Sequence, residues 1–162
     1  MDTVRFPNGT TGELEMVRHS GASAVVPFIT PLESPDPVIL LIRQYRYAAG
    51  GFVHEVPAGR LDPGEMPEEC ARRELQEETG YLATDLVRLS TFYTTPGFTD
   101  ERIHLFAAFG LTAGEVNLEV DEIIEAEQVR LSRAVEMVAS GEIVDGKTMI
   151  SVLLADQLRK KQ

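Results

Sequence analysis

Residues 59–81 read GRLDPGEMPEECARRELQEETGY, and the rest of the chain is best understood from them. Leu61-Asp62-Pro63-Gly64 is turn material. Pro67 suits the first turn of a helix, Glu68 and Glu69 suit its positive end, and Gly80 is a good stop. Ala71 and Leu75, with Cys70 or Thr79, would form the buried stripe. A helix advances about 100° per residue, so Glu74 and Glu78 project from one face a turn apart, with Glu77 beside them. Like charges crowded in this way destabilise an isolated helix, and only Arg72 and Arg73 are at hand to offset them. Two carboxylates at this spacing can share hard cations, which take oxygen ligands. Gly59 and Gly64 allow the backbone before the helix to fold tightly, which could bring the Ala58 carbonyl to the same cations. Arg73 can pair with a neighbouring glutamate and fix its rotamer. The competing reading is a solvated helix with several charge pairs one turn apart, and the pattern alone leaves both open.

Outward from this helix the chain alternates mostly between extended segments and turns. Residues 4–18 read as a hairpin around Pro7-Asn8-Gly9. Residues 24–29 and 38–42 are apolar enough for buried strands, and Pro31, Pro35 and Pro37 make the link between them a loop. Residues 52–56 form a short extended piece that ends at Pro57-Ala58-Gly59. Strands are expected at 86–93 and 102–109, around the loop Thr94-Thr95-Pro96-Gly97-Phe98-Thr99-Asp100, and again at 123–129. Ser132 is placed to cap a helix over 133–140 that Gly141 ends. Asp145-Gly146 is a turn before a last helix over 148–160. Many strands with one central and two late helices predict an α/β (α+β) fold, a mixed β-sheet sandwiched between α-helices, with an N-terminal β-hairpin.

The totals limit the possible functions. The chain has 162 residues, which fits one domain with a sizeable core. No apolar run approaches the roughly 20 residues of a membrane span, and MDTVRFPNGT lacks the features of a signal peptide. Cys70 is the only cysteine, so no disulfide forms within the chain and a reducing, cytoplasmic setting is expected. Asp and Glu number 26 against 15 Lys and Arg, a formal charge of −11. Such a surface repels nucleic acid and anionic membranes, so neither is an expected partner. The acids are also clustered: six glutamates lie from Glu65 to Glu78, and Glu115, Glu119, Asp121, Glu122, Glu125 and Glu127 form a second group. If the two groups met in the fold, bound cations would relieve their repulsion, and cations would also let an acidic protein hold an anionic substrate.

The central segment resembles the Nudix box: glycine, five residues, glutamate, seven residues, Arg-Glu, an aliphatic, any residue, Glu-Glu, any residue, glycine, an aliphatic. Gly59, Glu65, Arg73, Glu74, Leu75, Glu77, Glu78 and Gly80 meet the pattern, and Tyr81 departs from it only at a packing position. Resemblance extends from about residue 4 to 154. Pro96, fifteen residues past Tyr81, is where the ADP-ribose pyrophosphatase branch carries a proline. Arg43-Gln44-Tyr45-Arg46, Glu55-Val56-Pro57-Ala58-Gly59 and Gly141-Glu142-Ile143 with Asp145 and Lys147-Thr148 also look like that branch. Relatives acting on other nucleotide sugars share several of these stretches.

The resemblance implies a single Nudix domain over 1–162, in which residues 1–20 help to form a homodimer. It implies two or more Mg²⁺ or Mn²⁺ ions held by Ala58, Glu74, Glu77 and Glu78, and water attack on a nucleoside-diphosphate sugar, with ADP-ribose giving AMP and ribose 5-phosphate. Arg46 and Glu55 would contact the nucleotide, Glu101 the terminal ribose hydroxyls, and Gly97 would shape that pocket. The general base is expected in the second acidic group, at Glu122 or its rival Glu119. Other nucleotide sugars, dinucleotides or nucleoside triphosphates are alternative substrates. A binding module that does not cut is the non-enzyme alternative, although such modules typically lose box glutamates that this chain keeps. His19, His54 and His104 lack a nucleophile–base arrangement and carry no expected role.

Overall fold

The computed structural model describes residues 1–117 and 123–161. A hairpin of β1 (Asp2–Arg5) and β2 (Thr11–Leu14) opens the chain. Its Pro7-Asn8-Gly9 turn is held by the Asn8 side-chain oxygen, which accepts from the Thr10 amide and hydroxyl. Then come β3 (Ala22–Pro27), β4 (Val38–Arg46), a short 3₁₀ turn at Tyr47–Ala49, β5 (Gly51–Glu55), β6 (Ala58–Arg60) and α1 (Pro67–Thr79). The chain continues through β7 (Tyr81–Tyr93), β8 (Arg102–Ala113), β9 (Ile124–Arg130), α2 (Leu131–Ser140) and α3 (Gly146–Lys160).

Among the described residues, the main strands form two sheets rather than one continuous sheet. The first is mixed, in the order β6-β3-β8-β7, with β3 and β8 parallel and the other pairs antiparallel. The second is antiparallel, in the order β5-β4-β9. A lone bridge from Phe28 to Ile39 joins them where the chain leaves β3.

Alternation along the strands explains the layers. Ala24, Val26, Leu105 and Ala107 point into one core with Ile39, Leu41, Leu131, Ala134 and Val152. Val25, Phe106 and Ala108 point the other way, onto Ala71 and Leu75 of α1. The mixed sheet is therefore covered by α1 on one face, while its other face meets α3 and β4, with α2 packed on α3 and β9. Each fully buried Leu or Phe here contributes roughly 1.5–3 kcal/mol over exposure.

Helix α1 begins and ends as its sequence requires. Glu69 accepts from the Met66 amide at 3.0 Å and so occupies one of the orphan donors of the first turn. Gly80 takes φ 71°, a left-handed conformation that closes the helix by bonding back to the Gln76 carbonyl at 2.8 Å. Ser23 donates to the Pro67 carbonyl at 2.8 Å, tying the start of α1 to β3.

Two caps differ from the sequence expectation. Helix α2 starts at Leu131, and Ser132 is not its cap. Asp36, from the proline-rich loop, instead accepts from the Ser132 amide at 3.1 Å and hydroxyl at 2.8 Å. Helix α3 starts two residues before Thr148, because the Asp145 carboxylate accepts from the Thr148 amide at 2.9 Å and hydroxyl at 2.6 Å. The Thr148 hydroxyl oxygen also accepts from the Val56 amide at 2.9 Å, so the beginning of α3 is pinned beside the end of β5.

Candidate active site

Three regions of the fold meet at a cleft of about 1430 Å³. One wall is β6 with the central turns of α1, the second is β4 with the start of α3, and the third is Phe92, Tyr93, Thr94 and Glu101 with His19 and Ser20.

The first wall carries the glutamates. Glu74 and Glu78 are buried, at 8% and 4% exposure, although both are acids on a short helix. Buried carboxylates need partners. The Ala58 amide donates to Glu78 at 3.0 Å, so β6 sits directly against the helix. Gly59 is the closest approach: the Glu74 carboxylate occupies the space that a Cβ there would fill. Arg73 lies at the centre. Its Nε and Nη2 bind the two oxygens of Glu65 at 2.9 and 3.0 Å, while Nη1 reaches Glu74 at 2.6 Å and Glu77 at 3.0 Å. Nη2 also donates to the Arg60 carbonyl at 2.9 Å. The Arg73 hydrogen bonds hold the Glu65 carboxyl below the usual range, and Glu65 anchors the loop by accepting from the Asp62 amide at 2.9 Å. One guanidinium thus offsets the crowded glutamates. Cys70, fully buried beside the Gly59 and Arg60 carbonyls, is pushed up to about 11 by burial and by the nearby Glu65 and Glu74, so its thiol is inert.

On the second wall Arg46 grips Glu55 with two bonds, 2.7 Å from Nε and 3.0 Å from Nη2, and Lys147 bonds the same carboxylate. The Lys147 ammonium also lies 3.1 Å from Asp145. Burial alone would raise the Glu55 carboxyl, but Arg46 and Lys147 overcome it and hold the group below its ordinary value. Glu55 itself stands behind the cleft surface, with both oxygens engaged by these cations.

On the third wall Glu101 accepts from the Thr94 hydroxyl at 2.7 Å and lies 3.5 Å from the His19 ring. The loop before it is braced by Val17, whose amide donates to the Phe98 carbonyl at 2.8 Å, and by Asp100, which accepts from the His19 amide at 2.8 Å.

Of the residues expected from sequence, Arg46, Ala58, Glu74, Glu77, Glu78 and Glu101 all face this cleft. Glu55 supports it from behind, and Gly97 is in the neighbouring loop with open space around its Cα. Glu119 and Glu122 lie outside the described residues. Gln44, Asp145 and Lys147, which stand in stretches resembling the branch but carry no individual expected role, also line the cleft, as does His19, for which no role is expected. For Lys147 the helical signal is hidden, because the sequence pattern begins the last helix at 148; with α3 starting at Gly146, this lysine lies in a first turn, where it opposes the helix dipole and calls for a nearby acid. Nothing local marked His19, because a loop histidine acquires its setting only from chain folded far away.

The donor set suits a hard divalent cation, since it consists of carboxylate and carbonyl oxygens. Among the described residues no three acidic, histidine or cysteine side chains already converge as a cage. Arg73 holds the position between Glu74 and Glu77. No described helix is long and apolar enough to cross a membrane.

Comparisons with known proteins identify the family. The NUDIX domain family model matches residues 20–149. The chain belongs to the Nudix family, and fold and site together define a Nudix pyrophosphohydrolase. It is 39% identical over 154 residues to the ADP-ribose pyrophosphatase of Bacillus subtilis (strain 168), covering 94% of this chain and 80% of that one. It is 40% identical, with the same coverage, to the methanol dehydrogenase activator of Bacillus methanolicus. Against the GDP-mannose pyrophosphatase of Yersinia enterocolitica it is 41% identical over 125 residues, 72% of this chain and 65% of the relative. The fold matches a crystal structure of an ADP compounds hydrolase with a TM-score of 0.82 at 23% identity, over 99% of this chain and 84% of the other.

Proposed function

We propose that this enzyme hydrolyses ADP-ribose to AMP and ribose 5-phosphate with Mg²⁺ or Mn²⁺, two or more ions serving each site. The observation that carries the reading is the convergence of Glu74, Glu77 and Glu78 with Arg46 and Glu101 on a single cleft. The similarity to the Bacillus subtilis ADP-ribose pyrophosphatase over nearly the whole chain supports it. The cleft lining includes six carboxylates, Asp62, Glu74, Glu77, Glu78, Glu101 and Asp145, against Arg46, Arg60, Arg73 and Lys147. A diphosphate would therefore meet net repulsion unless cations accompanied it. Glu74, Glu77, Glu78 and the Ala58 carbonyl would hold those cations, which when bound neutralise phosphate charge and acidify a bound water.

The residues of the chain divide the remaining work. Water oxygen bonds to one phosphorus as the bridging P–O bond breaks, and the water proton passes to a carboxylate. By resemblance that base is Glu122, with Glu119 as its rival. Gly59 lets the Glu74 carboxylate sit flush against β6, and the Ala58 amide orients Glu78. Glu55 positions Arg46, which faces the nucleotide portion, and Glu101 offers paired acceptors to ribose hydroxyls, beside the loop that holds Gly97. We further read the chain as one domain that works as a cytoplasmic homodimer, with the N-terminal hairpin reaching the partner's site.

The relatives named for GDP-mannose favour a second reading, in which another nucleotide sugar is preferred. Incubation with Mg²⁺ and either compound, followed by product chromatography, decides between them. AMP from ADP-ribose at the higher kcat/KM is expected, with Glu78→Gln lowering turnover at least a hundredfold and Glu122→Gln by a similar factor. Preferential cleavage of GDP-mannose moves the substrate. Full activity in Glu78→Gln refutes the site.

A further inference from the structure

On the second wall, Arg46 and Lys147 are balanced by Glu55 and Asp145, two positive charges against two negative ones within direct ion-pair distance. A wall without net charge has little to attract a phosphate, which the cations of the opposite wall would serve. It does offer donors and acceptors to an uncharged polar group. Gln44 stands in the same place. Cross-strand pairs Ile42–Glu55, Gln44–Val53 and Arg46–Gly51 put Gln44 on the face of the sheet that carries Glu55 and Arg46. It lines the cleft at 5% exposure, and its Oε1 has no hydrogen-bond donor among the described residues. A buried amide oxygen without a partner is unusual, because leaving an acceptor dry costs more than a made hydrogen bond gains. The other such oxygen, Ser151 Oγ, belongs to α3 and does not line the cleft.

We propose that Gln44 is a specificity residue: its side-chain oxygen accepts a hydrogen bond from a hydroxyl or amino group on the uncharged part of the substrate, beyond the diphosphate. The terminal amide torsion is soft, so the oxygen turns to the cleft at little expense when a donor arrives. A site built to receive a donor rejects analogues that lack it, since their binding leaves the acceptor buried and unpaired. The choice of ligands rests on the pyrophosphatase reading, while the claim about Gln44 concerns recognition.

The test compares wild type with Gln44→Met, which keeps the shape and removes the acceptor, and with Gln44→Glu, which keeps an acceptor. Three compounds are used: ADP-ribose, the methyl ester of ADP, which lacks the sugar hydroxyls, and an ADP-ribose analogue with unsubstituted purine, which lacks the exocyclic amine. Wild type is expected to favour ADP-ribose over one analogue by about ten- to a hundredfold in kcat/KM, and Gln44→Met to abolish that preference while Gln44→Glu keeps most of it. The analogue whose penalty disappears identifies the sugar or the base as the source of the donor. Gln44→Met is also expected to melt no lower than wild type, because it removes an unsatisfied oxygen. Both preferences surviving in Gln44→Met, or a fall of several degrees in its Tm, would overturn the proposal. Dissociation constants from calorimetry with Mg²⁺ present, measured in the slow Glu122→Gln background, give the same comparison free of turnover. An absence of ADP-ribose cleavage by wild type would then count against the pyrophosphatase reading alone.

Discussion

Gly59→Ala separates the needs of the fold from those of the site. Gly59 is paired in β6 and lies outside the left-handed region, so alanine meets no backbone objection there. What the new methyl meets is the Glu74 carboxylate, well inside van der Waals contact. That carboxylate is the far end of a flexible side chain, so it can swing away, at the expense of its 2.6 Å bond to Arg73 Nη1. Losing one charge-assisted bond and overpacking one methyl together cost about 1–3 kcal/mol. For a chain of this size that is a Tm lower by roughly 3–10 °C, with the fold intact. The effect on catalysis is larger, because displacing a ligand or positioning group by about 1 Å costs about a hundredfold. Calorimetry and kcat/KM on ADP-ribose at saturating magnesium check both numbers. Activity within threefold of wild type would refute the claim that Glu74 must lie flush against β6. A variant that fails to fold would refute the claim that the glycine serves the carboxylate rather than the strand.

Arg73→Met removes the guanidinium that joins Glu65, Glu74 and Glu77, and breaking such a largely buried network costs about 3 kcal/mol. Its Tm should fall by about 6–12 °C, and magnesium should raise it by more than it raises that of wild type; a Tm within 2 °C of wild type contradicts the network. Asp36→Ala removes the cap of α2 and should cost about 1 kcal/mol at pH 7. Bonds from Ser132 hold the Asp36 carboxyl below its ordinary value, so its contribution is present above the unfolded value and lost as pH falls through the folded one. The Tm gap between wild type and variant should therefore narrow as pH falls below the ordinary carboxylate range, and a gap that widens there would exclude the cap.

The sequence made visible those features whose cause is local. Pro67 and Gly80 bound α1 where the helix lies, and the stripe of Cys70, Ala71, Leu75 and Thr79 is buried as its spacing requires. The apolar runs at 24–29 and 38–42 mark β3 and β4, and the strand expected at 102–109 lies within β8. Features made by distant chain were not visible. Strand β6 has three residues, two of them small, and exists because β3 pairs with it. Strand β7 begins at Tyr81, five residues before its apolar pattern starts, because β8 supplies partners along its whole length. The division into two sheets depends on which strands pair, and neither hydropathy nor turn chemistry encodes that. In the site, the glutamates of α1 were legible from helical spacing, whereas Lys147 meets Glu55 across 92 residues.

The crowding of Glu74, Glu77 and Glu78 first suggested a bound cation, and the fold weakens that particular argument. Arg73 bridges Glu74 and Glu77, and the Ala58 amide faces Glu78, so the carboxylates are tolerated within the protein's own chemistry. The case for divalent ions moves from the helix to the ligand. A diphosphate brings at least two negative charges to a cleft where, among the described residues, carboxylates already outnumber cations by six to four. Arg73 is committed to three glutamates, while Arg46 and Lys147 are committed to Glu55 and Asp145. Arg60 is the remaining cation of the lining among the described residues, and one guanidinium at the edge of a loop does not offset a diphosphate. Charge brought in with the substrate has to be met by charge brought in from solution, so the metal requirement of this protein belongs to its reaction rather than to its fold.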